Sequence, residues 1–319
     1  MTQIGGFFPA TQVVGALGVH SLDHFSIEVP DLAVAAAFYA AFGLDVHTEA
    51  GHLALGADGC EQRWGQLFEG RTKRLNYLSF GIFEADLARF REHLHALGIE
   101  ETAPPPGLEG DSIWIRDTDG VRLQLKPAAK SSPSAKSRFV PPVSSPSGLR
   151  GSPLRGEEKP VRPRRLSHVL IFVRDIEKSI RFYSDALGMR LSDEAGGLVA
   201  FMHGIHGSDH HMVAFAKSAN PGFHHCSWDV PSIGDIGIGA MHMAGHGYQR
   251  GWGLGRHVLG SNYFHYVRDP WGSYSEYSAD IDYIPADLKW DGQSHAPENS
   301  LFLWGPEPPP EFVINHESL

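Results

Sequence analysis

At 319 residues with 42% hydrophobic content, the chain is long enough for two ordinary domains and apolar enough to fill their cores. Its formal net charge of -10 argues against nucleic acid or an anionic membrane as partner, since both are polyanions, and no apolar run reaches the length of a membrane span. Two cysteines without CxxC spacing, Cys60 and Cys226, exclude a disulfide framework; with a start that lacks the basic region and apolar core of a signal peptide, they make the cytoplasm the expected compartment.

The first element expected is an alternating strand over residues 22–29, followed by a helix with Asp31 as N-cap and apolar residues at helical spacing. The word RLNYLSFGI and the turn DTDG before VRLQL complete this first unit. Residues 128–165 then become rich in Pro, Ser, Gly and basic side chains with almost no apolar periodicity, the composition of a linker. Beyond it the pattern returns. A strand is expected over 166–173, a helix from Asp175, strands over 198–202, 211–216 and 223–230, and a Gly-rich helix to about Gly247. Strands over 263–267 and 274–278 follow, with the turn DPWG between them. The tail, 286–319, is too aromatic for a disordered end and is expected to lie over the second unit and close the mouth of its pocket.

The halves repeat each other. LDHFSIEVPDLAVAAAFYAAFGL matches LSHVLIFVRDIEKSIRFYSDALGM at an offset of 144 residues, so that His24 falls on His168 and Asp31 on Asp175. The expected fold is therefore α+β, built of tandem βαβββ modules: an N-terminal domain over 1–127, the linker, a second domain over 166–285, and the tail.

Three positions on expected strands of the second unit have ligand chemistry: His168 on the first, His224 or His225 on the middle one, and Glu276 on the last. Two imidazoles and one carboxylate on one face of a metal leave open positions and are the set of non-haem Fe(II) oxygen chemistry, whereas zinc is more often closed tetrahedrally or left with one water. Any one of the three alone reads more readily as a satisfied structural residue. The repeat argues otherwise, because the first-half counterparts are His24, Tyr77 and Gln124, so the scaffold does not itself require the ligand set. Strand alternation places His224 and His225 on opposite faces, and only one of them is expected to reach the metal.

These words resemble the vicinal oxygen chelate superfamily, and the second half is similar to its type I extradiol dioxygenases, which include catechol 2,3-dioxygenases and dihydroxybiphenyl dioxygenases. The resemblance spans both units. Through the words LSH, FHH and SYSE it implies His168, His225 and Glu276 as metal ligands. HMVAF and GLGRH match two further family words, pointing to His211 and His257; Tyr266 lies nine residues beyond His257, and Glu276 ten beyond that. The implied cofactor is Fe(II), with Mn(II) accepting the same donors. The implied reaction opens a catechol-type diol with O2 to a ring-opened semialdehyde-type product that keeps both oxygen atoms. His211 would act as acid and base, while His257 and Tyr266 orient the substrate oxygens. A homo-oligomer is the expected assembly.

The tail and the segment GLGRHVLGSNYFHYVRDPWGSYSEYS are most similar to the branch holding trihydroxytoluene oxygenase and some catechol dioxygenases. His210 is the alternative to His211 if the strand slips by one residue, and the following VAF favours His211. Trp252, Tyr263, Phe264 and Trp271 are candidates for an apolar slot around the ring, while His203, His206, His242, His246 and His265 read as surface or structural histidines. Two rivals remain: a glyoxalase-like isomerase or thiol transferase, which would draw ligands from both modules, and a non-enzymatic binder, which would lack the ligand set. The neutral Gln124 in the first half and the complete trio in the second argue against both.

Overall fold

The computed structural model describes residues 11–154 and 156–318. The first half contains β1 (Ser21–Val29), α1 (Leu32–Ala41), β2 (Asp45–Glu49), β3 (His52–Gly56), β4 (Gly65–Glu69), β5 (Arg74–Ile82), α2 (Leu87–Ala96), β6 (Ile113–Arg116) and β7 (Arg122–Pro127). The second contains β8 (Arg165–Val173), α3 (Ile176–Leu187), β9 (Met189–Ala195), β10 (Val199–Gly204), β11 (Ser208–Asp209), β12 (Val213–Lys217), β13 (Gly222–Asp229) and α4 (Ile233–Gly245). It continues through β14 (Gly251–Arg256), β15 (Tyr263–Arg268), β16 (Tyr274–Ala279), β17 (Tyr283–Ile284) and β18 (Gln293–His295). Among the described residues no helix is long and apolar enough to cross a membrane.

The duplication holds at the level of register. The first sheet runs β2-β3-β4-β1-β5-β7-β6; the second runs β14-β15-β16-β13-β8-β12-β10-β9-β18, the same order read backwards with one strand added at each end. His24 faces Ser79 across β1 and β5, and Ser79 faces Gln124 on β7; in the second sheet His168 faces Ser227, which faces Glu276. Tyr77 and His225 each lie two residues before their serine.

Each half starts its first helix in the same way, because Asp31 accepts from the Ala33 and Val34 amides and Asp175 from the Lys178 amide, satisfying donors that the helix leaves free. The sheets then pack on one shared core. Phe25 stacks on Phe223 with ring centroids 5.2 Å apart, Phe42 stacks on Tyr277 at 3.8 Å, and the Tyr277 hydroxyl donates to the Phe42 carbonyl at 2.9 Å. The same ring explains a glycine in α4: a Cβ on Gly239 would stand 2.7 Å from Tyr277.

Several expectations change. β9, β14 and β18 had not been foreseen, and the strand expected over 211–216 begins only at Val213, so His211 sits on the connection before it. Of the linker expected over 128–165, Arg165 is instead the buried first residue of β8, and the described residues of 128–164 contain no helix or strand but are packed at both ends. Lys130, Ser131 and Ser132 are buried, with the Lys130 ammonium donating to the Ser132 and Pro133 carbonyls at 2.9 and 2.7 Å. Arg162 reaches Asp45 at 2.6 Å, and Arg164 reaches Asp229 at 2.7 Å. Only the middle of the segment, 141–154, is uniformly exposed.

Candidate metal centre and pocket

His168, His225 and Glu276 come together from β8, β13 and β16, with one ligand atom from each lying within 4.8 Å of the others. Glu276 Oε2 is 3.3 Å from His168 Nε2 and 3.8 Å from His225 Nε2, and all three side chains are buried. His225 Nε2 and Glu276 Oε2 have no hydrogen-bond partner, an expensive state for buried polar atoms unless a cation lies between them. In the first sheet the equivalent positions satisfy one another: His24 Nε2 lies 3.1 Å from the Tyr77 hydroxyl, that hydroxyl lies 2.6 Å from Gln66 Oε1, and Ser79 donates to Gln124 at 2.8 Å. Of the two sets of equivalent positions, the second leaves ligand atoms without partners, His225 Nε2 and Glu276 Oε2.

The tautomers of the two candidate imidazole ligands follow from their outer nitrogens. His224 Nε2 donates to the Phe312 carbonyl at 2.7 Å, and burial pushes His224 down to about 4, so it is neutral and its Nδ1 carries a lone pair. His225 Nδ1 lies 2.7 Å from that lone pair and must donate, which leaves His225 Nε2 free to bind a metal. At His168 the outer partner is Ser167 Oγ at 3.3 Å, which itself donates to Asp209 at 2.9 Å. Asp209 is clamped by the fully buried Arg165 guanidinium at 2.6 and 3.1 Å.

Alternation had placed His224 and His225 on opposite faces; this is corrected. The register slips between Phe223 and His225, and the resulting bulge turns both rings to the same cavity, with His224 supporting rather than joining the centre.

His168 and His225 line a cavity of about 370 Å³, with Glu276 fully buried behind them. His211 lines it, its ring centroid 4.0 Å from that of His168, and burial holds its imidazole well below its ordinary pKa. On the other side His257 Nδ1 donates to the Leu301 carbonyl, so its Nε2 accepts from the Tyr266 hydroxyl at 3.0 Å; that Nε2 is 3.7 Å from Glu276. Burial pushes the Tyr266 phenol well above its ordinary pKa, keeping it a hydrogen-bond donor.

Trp252, Tyr263, Phe264 and Trp271 do not line the cavity. Trp252 and Phe264 lie behind Tyr266 in a small core with Tyr274 and Phe312, and Tyr263 packs under Arg256. The slot is made instead by Leu170, Phe172, Phe201, Leu259, Leu301 and Phe312, among others. His203 and His206 are buried and hydrogen-bonded away from the cavity, His265 is outside it, and His242 packs against His246, the residue that caps the C-terminal end of α4, with ring centroids 4.2 Å apart. Sequence reasoning missed Asn262, whose amide donates to Glu276 at 3.2 Å and Ser278 at 2.9 Å, since nothing in the word GSN marks it.

The tail supplies the two carbonyls that orient His257 and His224, besides Phe312 and Val313 in the wall. Removing residues after Pro285 is therefore expected to lower kcat/KM by roughly 10- to 100-fold, the usual cost of losing outer support of a ligand. Steady-state kinetics on the folded truncated protein would refute this if they matched those of the full chain.

Comparison with known proteins agrees with this architecture. The model of the Glyoxalase/Bleomycin resistance protein/Dioxygenase superfamily matches residues 21–125 and 165–277, one span in each sheet. The chain is 49% identical over 301 residues to "Metapyrocatechase 2" of Cupriavidus necator, covering 94% of this chain and 93% of that protein. Among solved structures it superposes on a Mn(II)-bound glyoxalase from Novosphingobium aromaticivorans (TM-score 0.75, 23% identity, 94% of this chain and 95% of that one). It also superposes on 2,2',3-trihydroxybiphenyl 1,2-dioxygenase from Sphingomonas wittichii (TM-score 0.71, 21% identity, 91% of this chain and 100% of that one). A family match in both halves, on a duplicated sheet of the same strand order, means that the chain belongs to the Glyoxalase/Bleomycin resistance protein/Dioxygenase superfamily.

Proposed function

We propose that the chain opens the ring of a catechol bearing an apolar substituent, using O2 and an Fe(II) ion held by His168, His225 and Glu276. The protein is an extradiol dioxygenase, a reading that rests on near-complete coverage at 49% identity to a metapyrocatechase. For the centre, the observation that carries most weight is the pair of buried, partnerless atoms His225 Nε2 and Glu276 Oε2 converging with His168 Nε2. Two nitrogens and one carboxylate suit Fe(II), and Mn(II) is accepted by the same donors. When bound, the metal supplies open positions for both reactants and a route for electrons between them.

The chain's own side chains do the rest. The apolar walls formed by Leu170, Phe172, Phe201 and Leu259 receive the ring and its substituent and exclude water. His211, kept neutral by burial, takes the proton of one diol hydroxyl and returns a proton as the ring opens. His257 and Tyr266, already joined by a hydrogen bond, hold the diol oxygen on the opposite side and stabilise the charge that develops there. A cytoplasmic setting suits the two free thiols, Cys60 and Cys226.

The test is anaerobic purification, loading with Fe(II), and O2 uptake with catechol, methylcatechols, dihydroxybiphenyl and a trihydroxytoluene. Stoichiometric uptake with a coloured product, greater for apolar-substituted diols than for carboxylated ones, is expected. Absence of uptake with every diol in the metal-loaded protein would sink the reading.

A further inference from the structure

His211 does not stand alone. Its Nδ1 lies 3.1 Å from His210 Nδ1, and His210 Nε2 lies 2.8 Å from Asp193 Oδ2, all three residues being buried. The other carboxylate oxygen, Asp193 Oδ1, accepts from the Gln293 amide at 3.2 Å and faces His295 Nε2 at 2.8 Å; both partners belong to β18, the strand that the tail adds beside β9. Trp290 packs edge-on against the His210 ring, with centroids 5.7 Å apart.

We propose that Asp193 and His210 are positioning residues that fix the tautomer of His211 and aim its Nε2 lone pair into the cavity. This rests on the reading of His211 as the acid and base of ring opening. A carboxylate only accepts, so His210 must place its proton on Nε2. In the proposed arrangement His210 carries that one proton, its Nδ1 offers a lone pair, and His211 donates its own Nδ1–H to it at 3.1 Å. His211 Nε2 is left unprotonated, and no described residue occupies it, so it faces the cavity ready to take a proton. The logic repeats that of His224 and His225, where the Phe312 carbonyl plays the part of Asp193 and the liberated Nε2 faces a metal instead of a substrate. In both pairs the first histidine is a tautomer lock for the second, and in both the tail supplies or braces the outer acceptor.

The discriminating variant is D193N, which keeps size and shape. Its Oδ1 stays held by the Gln293 amide, so the new NH2 faces His210 Nε2 and donates to it. Every proton in the chain is then reversed, and His211 carries its proton on Nε2, where it cannot act as a base. On the Zn(II)-loaded full chain, two-bond 15N–1H correlation spectra, with the His211 signal assigned from its loss in H211Q, are expected to show Nδ1–H in the parent and Nε2–H in D193N. On the Fe(II)-loaded enzyme D193N is expected to lose kcat by roughly 100-fold, the lower end of what a positioned base contributes, with KM little changed. H210N, whose side-chain oxygen stands where Nδ1 stood, is expected to retain most of kcat, whereas H210F is not. Nε2–H on His211 in the parent overturns the proposal whatever the activity, and so does a D193N enzyme with parental kcat. Nδ1–H in a parent that consumes no O2 with any diol supports the lock and overturns the ring-cleavage reading instead.

Discussion

Replacing Glu276 with glutamine is expected to remove ring cleavage almost entirely while leaving the fold intact. Glutamine has the same shape, and Asn262 can still donate to its carbonyl oxygen, but the negative charge between His168 and His225 is gone. The protein should then purify with little bound metal. The rate should fall on the order of 10³-fold, because a metal that polarises oxygen contributes several kcal/mol and each 1.36 kcal/mol is a factor of ten. Metal content by mass spectrometry and O2 uptake check the two parts separately. A variant that retains its full metal content and parental rate would show that the partnerless carboxylate oxygen has another purpose. Gln124 occupies the equivalent place in the first sheet, so the protein already holds an amide there in a site whose polar groups satisfy one another.

The second large effect is expected at Glu317, near the end of the chain. Its carboxylate receives the Lys73 ammonium at 2.6 Å, the Phe223 amide at 3.0 Å and the Leu75 amide at 2.9 Å. One side chain thus ties the tail to β5 of the first sheet and β13 of the second, and both charged groups are nearly out of solvent. Glu317→Ala leaves Lys73 buried without its counter-ion, a change that typically costs about 3–5 kcal/mol. The melting temperature should drop by roughly 10 °C in a domain of this size. The paired variant Lys73→Met, Glu317→Leu should recover much of the loss, because removing both charges avoids the uncompensated one. Equal melting of Glu317→Ala and the parent would mean that water replaces the carboxylate at no cost. Because Phe312 and its carbonyl lie five residues before Glu317, loosening this anchor should also weaken metal retention through His224 and His225.

The sequence by itself determined the duplication, the α+β class and the pairing of positions between the halves. These depend on local words and apolar spacing, which survive in one dimension: His24 and His168, or Asp31 and Asp175, can be matched without knowing where either points. It also marked His168, His211, His225, His257, Tyr266 and Glu276, which the fold brings around one cavity. What only the tertiary structure decided is what stands behind them. Alternation misjudged His224 because a bulge is a property of two paired strands, invisible in either one alone. Trp252 and Phe264 turned out to back Tyr266, since the three share one face of β14 and β15 with the tail residues Phe312 and Leu301 beside them, while Tyr263 and Trp271 pack on the main core instead. Asn262, the Phe312 and Leu301 carbonyls, and the path from Asp193 through His210 to His211 join segments up to 102 residues apart, as His295 and Asp193 do. Hydrogen bonds of that kind leave no periodicity, because a single donor and acceptor suffice and any loop that delivers them will serve.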